Sequence, residues 1–147
     1  MVAQGLQLAI KNDLAEIAGV TEAIHAFSAQ SGIPNGVDNA LQLVADELLS
    51  NIIRYGYPAG GAHTITINLE AKVDEVWVLV RDDGIPFNLL EQPVPKVPAS
   101  LDEAEVGGLG IHLVRNTMDE ITYRYEDGWN TVLLKKRLKP CQPAELK

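Results

Sequence analysis

The sequence predicts an α+β fold, a two-layer α/β sandwich with helices on one face of a mixed, mostly antiparallel sheet. Two observations carry this. Segments with strand-like alternation come in neighbouring pairs, grouped as hairpins and not interleaved singly with helices, which is the pattern of a two-layer sandwich and not of a doubly wound sheet. The chain has 147 residues, enough for one domain with a proper core and too few for two of ordinary size.

Gln4 to Ile10 alternates, with Leu6, Leu8 and Ile10 on one side, as a half-buried strand does. Asn12 or Asp13 is then placed to cap a helix in which Leu14, Ile17, Ile24 and Phe27 recur until Gly32 ends the pattern. Asn35-Gly36 punctuates. Val37, Leu41, Val44, Leu48, Ile52 and Tyr55 next mark a long second helix that stops at the glycine-rich break from Gly56 to Gly61. Thr64 to Glu70 alternates through Ile65, Ile67 and Leu69, whereas Val76 to Val80 is wholly apolar, as a central strand covered on both faces is.

The stretch from Ile85 to Val106 carries Pro86, Pro93, Pro95 and Pro98, then Asp102, Glu103 and Glu105, so no regular element suits it. Connections of that length are usually lids or disordered. Gly107 to Gly110 opens a helix with Ile111, Val114 and Met118, and Ile121 to Tyr125 and Thr131 to Leu138 form a hairpin about Asp127-Gly128. Residues 1–139 are thus expected to form the domain, and 140–147 a frayed tail.

Composition narrows the function. No apolar run reaches the ~18 residues of a membrane helix, no secretory signal opens the chain, and the single Cys141 offers no disulfide framework, so a cytoplasmic protein away from membranes is expected. The formal net charge of -8 argues against a direct nucleic-acid surface, which needs clustered Lys and Arg. A protein partner or a small ligand fits better. His25, His63 and His112 lie far apart, with no Cys or carboxylate at zinc-ligand spacing, and read as surface or helix-end residues. Trp77 and Trp129 read as packing residues on or beside strands.

Four short motifs, in order, suggest an ATP site. Glu47 and Asn51 are four apart on a helix and share a face; an amide oxygen is a suitable magnesium ligand, and a carboxylate beside it suits a base. Asp82 ends the apolar strand in Asp82-Asp83-Gly84, where a carboxylate can accept a hydrogen bond from the adenine amine and Gly84 lets the backbone approach the base. Gly107-Gly108-Leu109-Gly110 supplies unhindered N–H groups at a helix start, which favours phosphate. Thr131 follows on the last hairpin. Each alone also has an ordinary explanation: a solvated helix face, a common Asp-Gly turn, a hinge, a strand threonine. A dinucleotide loop does not fit, since Leu113 stands where a third glycine belongs, and no Gly-Lys-Ser or Gly-Lys-Thr of a Walker loop occurs.

Together the motifs resemble a known arrangement. Glu47-x-x-x-Asn51, Asp82 to Phe87 as Asp-x-Gly-x-Pro-Phe, and Gly107 to Ile111 as Gly-Gly-Leu-Gly-Ile look like the GHKL ATPase (Bergerat) fold of gyrase, a mismatch-repair ATPase and sensor histidine kinases. The run Asn51 to Tyr57, and Gly108 to Val114 followed by Met118-Asp119, are most similar to the stand-alone bacterial anti-sigma-factor serine kinases. The resemblance extends from about Leu6 to Leu138.

The resemblance implies an ATP-dependent kinase that phosphorylates a serine of an anti-sigma-factor antagonist and sequesters a sigma factor, as a homodimer. It implies Glu47 as the base, Asn51 as the Mg2+ ligand, Asp82 with Gly84 as the adenine reader, and Gly108 and Gly110 at the phosphates. Thr131 would assist Asp82 through its hydroxyl, and Ile85 to Val106 would be the ATP lid. One departure stands out. Some members carry an arginine just before the glycine loop, where this chain has Glu105 and Val106, so Mg2+, lid amides, Lys96 or Arg54 would have to meet the γ-phosphate charge. An ATP-responsive binding switch without phosphoryl transfer is the other reading. A histidine kinase catalytic domain is disfavoured, since no dimerising helical pair with an acceptor histidine is expected upstream.

Overall fold

The computed structural model describes residues 4–91 and 109–139. Five strands, β1 Gln4–Lys11, β2 Thr64–Ala71, β3 Glu75–Asp82, β4 Glu120–Glu126 and β5 Trp129–Arg137, form one sheet in the order β1-β2-β3-β5-β4. Every pairing described is antiparallel. Among the described residues three α-helices, α1 Ile17–Ser31, α2 Asn35–Tyr55 and α3 Leu109–Thr117, pack on one face, which makes the expected two-layer sandwich. None is long and apolar enough to cross a membrane.

Local chemistry accounts for the element ends. Asp13 accepts a hydrogen bond from the Ala15 amide (3.0 Å), capping a short 3-10 turn that leads into α1, and Gly32 closes that helix at φ 69°. Asn35 and Gly36, expected to break the chain, instead form the first turn of α2 behind Pro34, whose φ of -58° suits a helix entry. The β4–β5 turn has Asp127 at φ 53° and Gly128 at φ 85°, both positive as a two-residue hairpin loop requires.

The core lies between the layers. Ile24, Leu41 and Leu49 from the helices meet Ile65, Ile67, Val76, Val80 and Leu134 from the sheet, all with little or no exposure. The α1–α2 hairpin is also pinned by His25, whose Nδ1 lies 2.7 Å from Oδ2 of the buried Asp38, while Gln42 Nε2 donates to the same oxygen at 3.1 Å. β3 differs from expectation. Val76, Val78 and Val80 are buried under the helices, but Trp77 and Leu79 are only half-buried, because among the described residues no second layer covers the other face. Large apolar side chains on that face made a one-sided strand read as two-sided.

Candidate functional site

The site forms where the C-terminal half of α2 passes the ends of β3 and β5. Asn51, Ile52, Tyr55 and Gly56 of α2 and its end, Asp82 of β3, Asn130 and Val132 of β5, and Ile85, Phe87 and Leu89 line a cleft. Most of its wall is aliphatic or aromatic, and its polar groups are few and convergent, as in a site for a flat heterocycle.

Asp82 is 4% exposed at the end of β3, and Asn130 beside it in register is 3% exposed. Oδ1 of Asp82 accepts from the Gly84 amide at 2.9 Å and from Asn130 Nδ2 at 3.0 Å. Burial pushes the carboxyl above its ordinary range, the two hydrogen bonds oppose this, and the neighbouring Asp83 charge adds to it. Gly84 is required by crowding. A Cβ there would lie 2.7 Å from the Gly56 carbonyl oxygen and 3.0 Å from Asp82 Oδ1, and the next amide, Ile85 N–H, donates to that same Gly56 oxygen at 2.9 Å.

Asn130 was not anticipated from the sequence. Its Nδ2 also donates to the carbonyls of Ile85 (2.9 Å) and Gly84 (3.3 Å), and its Oδ1 accepts from the Phe87 amide (3.1 Å) and the Tyr123 hydroxyl. One side chain thus ties β5, β4 and the segment after β3 to Asp82. Burial raises the Tyr123 hydroxyl above its ordinary range, so that proton stays in place to donate.

On α2, Asn51 Nδ2 donates to the Glu47 carbonyl at 2.8 Å, which engages the amide nitrogen with the helix and leaves the oxygen as the end suited to a cation. Glu47, one turn earlier, is half-buried beneath α3. A Cβ built on Gly110 would collide with its carboxylate, so the Glu47 side chain keeps this position only because that residue is glycine. Arg54 is exposed on α2.

Behind the cleft, Tyr57 stacks on His63 with ring centroids 4.4 Å apart, and His63 Nδ1 lies 3.1 Å from Asp83 Oδ1. Burial, then the charges of Asp82 and Asp83, push the Tyr57 hydroxyl far above its ordinary range. This cluster braces the loop between α2 and β2 against the residue next to Asp82. Among the described residues no group of three or more His, Cys, Asp or Glu is placed to hold a metal ion.

Of the expected site residues, Asn51 and Asp82 line one cleft, Gly84 abuts Asp82, and Glu47 and Gly110 meet at the α2–α3 crossing. Thr131 is not with them. Strand alternation sends Asn130 and Val132 to the helix side and Thr131 to the outer face, where it stands between Arg81 and Arg124. Gly108, Lys96, Glu105, Val106 and the expected lid beyond Glu91 lie outside the described residues.

The pattern that defines the Histidine kinase-like ATPase domain matches residues 10–136. The chain belongs to that family. This ATPase domain is 33% identical over 100 residues to a protein named serine/threonine-protein kinase BtrW from Bordetella bronchiseptica, covering 68% of this chain and 70% of the relative. It is 25% identical over 117 residues to an anti-sigma F factor of Clostridium perfringens, covering 79% and 84%. The fold matches the crystal structure of the RsbU and RsbW domains of a Mycobacterium tuberculosis protein with a TM-score of 0.63 at 15% identity. That match covers 95% of this chain and 34% of the larger one. The expected membership of the GHKL class is borne out, and the relatives' names agree with the serine-kinase reading.

Proposed function

We propose that this ATPase domain is an ATP-dependent protein serine kinase whose substrate is a small antagonist protein and whose other partner is a sigma factor. The observation that carries the reading is the shared cleft: Asn51, Asp82 and Asn130 converge on it, and Glu47 stands one helical turn from Asn51. In this reading Asp82 accepts from the adenine amine through the oxygen not engaged by Gly84 and Asn130, and the aliphatic wall of Leu48, Ile52 and Val132 holds the ring.

The residues present fit magnesium nucleotide. The Asn51 oxygen is one neutral ligand, and Mg2+ is commonly held by one or two protein groups with phosphates and water completing its shell, where it neutralises phosphate charge. Glu47 accepts the proton of the partner serine as that oxygen attacks the terminal phosphorus and the bond to the ADP oxygen breaks. The helix start at Gly110 would offer its amide N–H groups to the phosphates beside Glu47.

Incubation with γ-labelled ATP and a candidate antagonist tests the reading. Wild type should label a serine; Glu47→Ala should bind ATP and label nothing. Equal labelling by Glu47→Ala would remove Glu47 from the role of base. A second reading, an ATP-responsive grip on a partner without transfer, draws on Glu105 and Val106 standing where some members carry a cation. ATP binding with no labelling of any matched antagonist would favour it.

A further inference from the structure

Asn130 is gripped at both ends of its amide, and that grip fixes the direction of the protons around Asp82. Three acceptors surround Nδ2: Asp82 Oδ1 at 3.0 Å, the Ile85 carbonyl at 2.9 Å and the Gly84 carbonyl at 3.3 Å. Two donors meet Oδ1, the Tyr123 hydroxyl and the Phe87 amide at 3.1 Å. An amide turned over would set oxygen against those three oxygens and nitrogen against an N–H, so a single orientation satisfies the site. A hydroxyl in this place could rotate to donate or to accept. A primary amide held at both ends cannot.

The donors therefore run in one direction, from β4 to the cleft. Tyr123 gives its proton to Asn130, Asn130 gives one to Asp82 Oδ1, and the Gly84 amide gives a second to the same atom at 2.9 Å. None of these contacts calls for a proton on Asp82. With Oδ1 taken by two donors, Oδ2 is the acceptor that remains for a ligand. Both hydrogen bonds favour the ionised carboxyl against the burial that disfavours it.

We infer that Asn130 and, behind it, Tyr123 are positioning residues that make the cleft select a purine with an amine, and reject one with a carbonyl, at ring position 6. The inference rests on the proposed placement of the base against Asp82. An amine donates to Oδ2, whereas a carbonyl oxygen there would face an acceptor with no proton between them. Sites built to pair with a donor reject the analogue that lacks it, because the buried acceptor is then left unpaired. An acceptor in place of the Asn130 Nδ2 would demand a proton between itself and Asp82. A protonated Asp82 could then donate to a carbonyl, and the selection would be lost. Base choice is thus a property of the whole hydrogen-bond chain, including Tyr123, which stands outside the cleft lining.

The test is calorimetric titration of ATP and of inosine triphosphate, which carries oxygen where ATP carries the amine, into wild type, Asn130→Asp and Tyr123→Phe. Asn130→Asp keeps the shape of the side chain and its acceptor for Phe87 and Tyr123, but replaces the donor to Asp82 by an oxygen. Its ratio of ATP to inosine triphosphate affinity should fall by about tenfold or more. In Tyr123→Phe, where the Phe87 amide still donates to Asn130, the ratio should fall by about threefold. A merely structural part would weaken both nucleotides alike and leave the ratio unchanged. Tyr123→Phe keeps the inference testable should Asn130→Asp unfold, as circular dichroism would report. An unchanged ratio in either folded variant overturns the inference, while a wild-type preference for ATP leaves the reading of the base site standing. Wild type that binds both nucleotides equally, or neither, overturns the two together.

Discussion

Gly110 at the start of α3 lies against the carboxylate of Glu47 on α2, so closely that a methyl group in its place would overlap that side chain and stand 3.0 Å from its carboxyl carbon. The position of the proposed base is therefore set by the absence of a side chain on a neighbouring helix. Gly110→Ala should push Glu47 aside. Transfer should fall by about a hundredfold, the order that a misplaced catalytic group costs, with ATP binding little changed. Parallel turnover assays and ATP titrations check this.

Asp82→Asn should separate stability from function. Burial raises the native pKa of Asp82 above its unfolded value, so the stability linked to this group is fully present below the unfolded pKa and is lost as pH rises through the folded one. Once ionised, the buried carboxylate is a cost. Asparagine keeps an acceptor for Gly84 and Asn130 without that charge, so the melting temperature of the variant relative to wild type should rise with pH, with the gain shrinking in acid. ATP affinity should fall at the same time.

Asn130→Leu should be severe, because it leaves the Phe87 amide and the Tyr123 hydroxyl without that acceptor and takes a donor from Asp82. A loss of roughly 2–4 kcal/mol by denaturant unfolding is expected for a broken buried network. Tyr123→Phe removes the bond to Asn130 and the one accepted from the Phe87 amide, which keeps Asn130 as acceptor, and should cost about 1 kcal/mol.

The His25–Asp38 contact predicts an acid-side effect. Burial would raise the Asp38 carboxyl, but hydrogen bonds, first from His25 and then from Gln42, hold it below its ordinary value. A depressed native pKa contributes stability above the unfolded pKa that is lost as pH falls through the folded one. His25→Ala should therefore move the acid-unfolding midpoint upward, read by circular dichroism against pH.

Much of this was legible in the sequence because the signals are local. Period-two runs at Leu6, Leu8 and Ile10 and at Ile65, Ile67 and Leu69 gave strands, helical spacing from Val37 to Tyr55 gave α2, and Asp127-Gly128 gave the hairpin turn. Thr131 failed for a reason of phase. The final strand was read as beginning at Thr131, whereas it begins at Trp129; with Val132 and Leu134 inward, alternation makes Asn130 the inward residue. The Asn130 network itself was not legible, since it joins residues up to 48 apart in sequence, and neither was the Glu47–Gly110 contact, which depends on how two helices cross.

Calorimetric titration of ATP in the presence of Mg2+, with GTP and Asp82→Asn as comparisons, tests the central claim most directly. The cleft described here predicts saturable binding of ATP, much weaker binding of GTP and a marked loss of ATP affinity in the variant. No heat or saturation with ATP, or equal affinity for GTP, would contradict it.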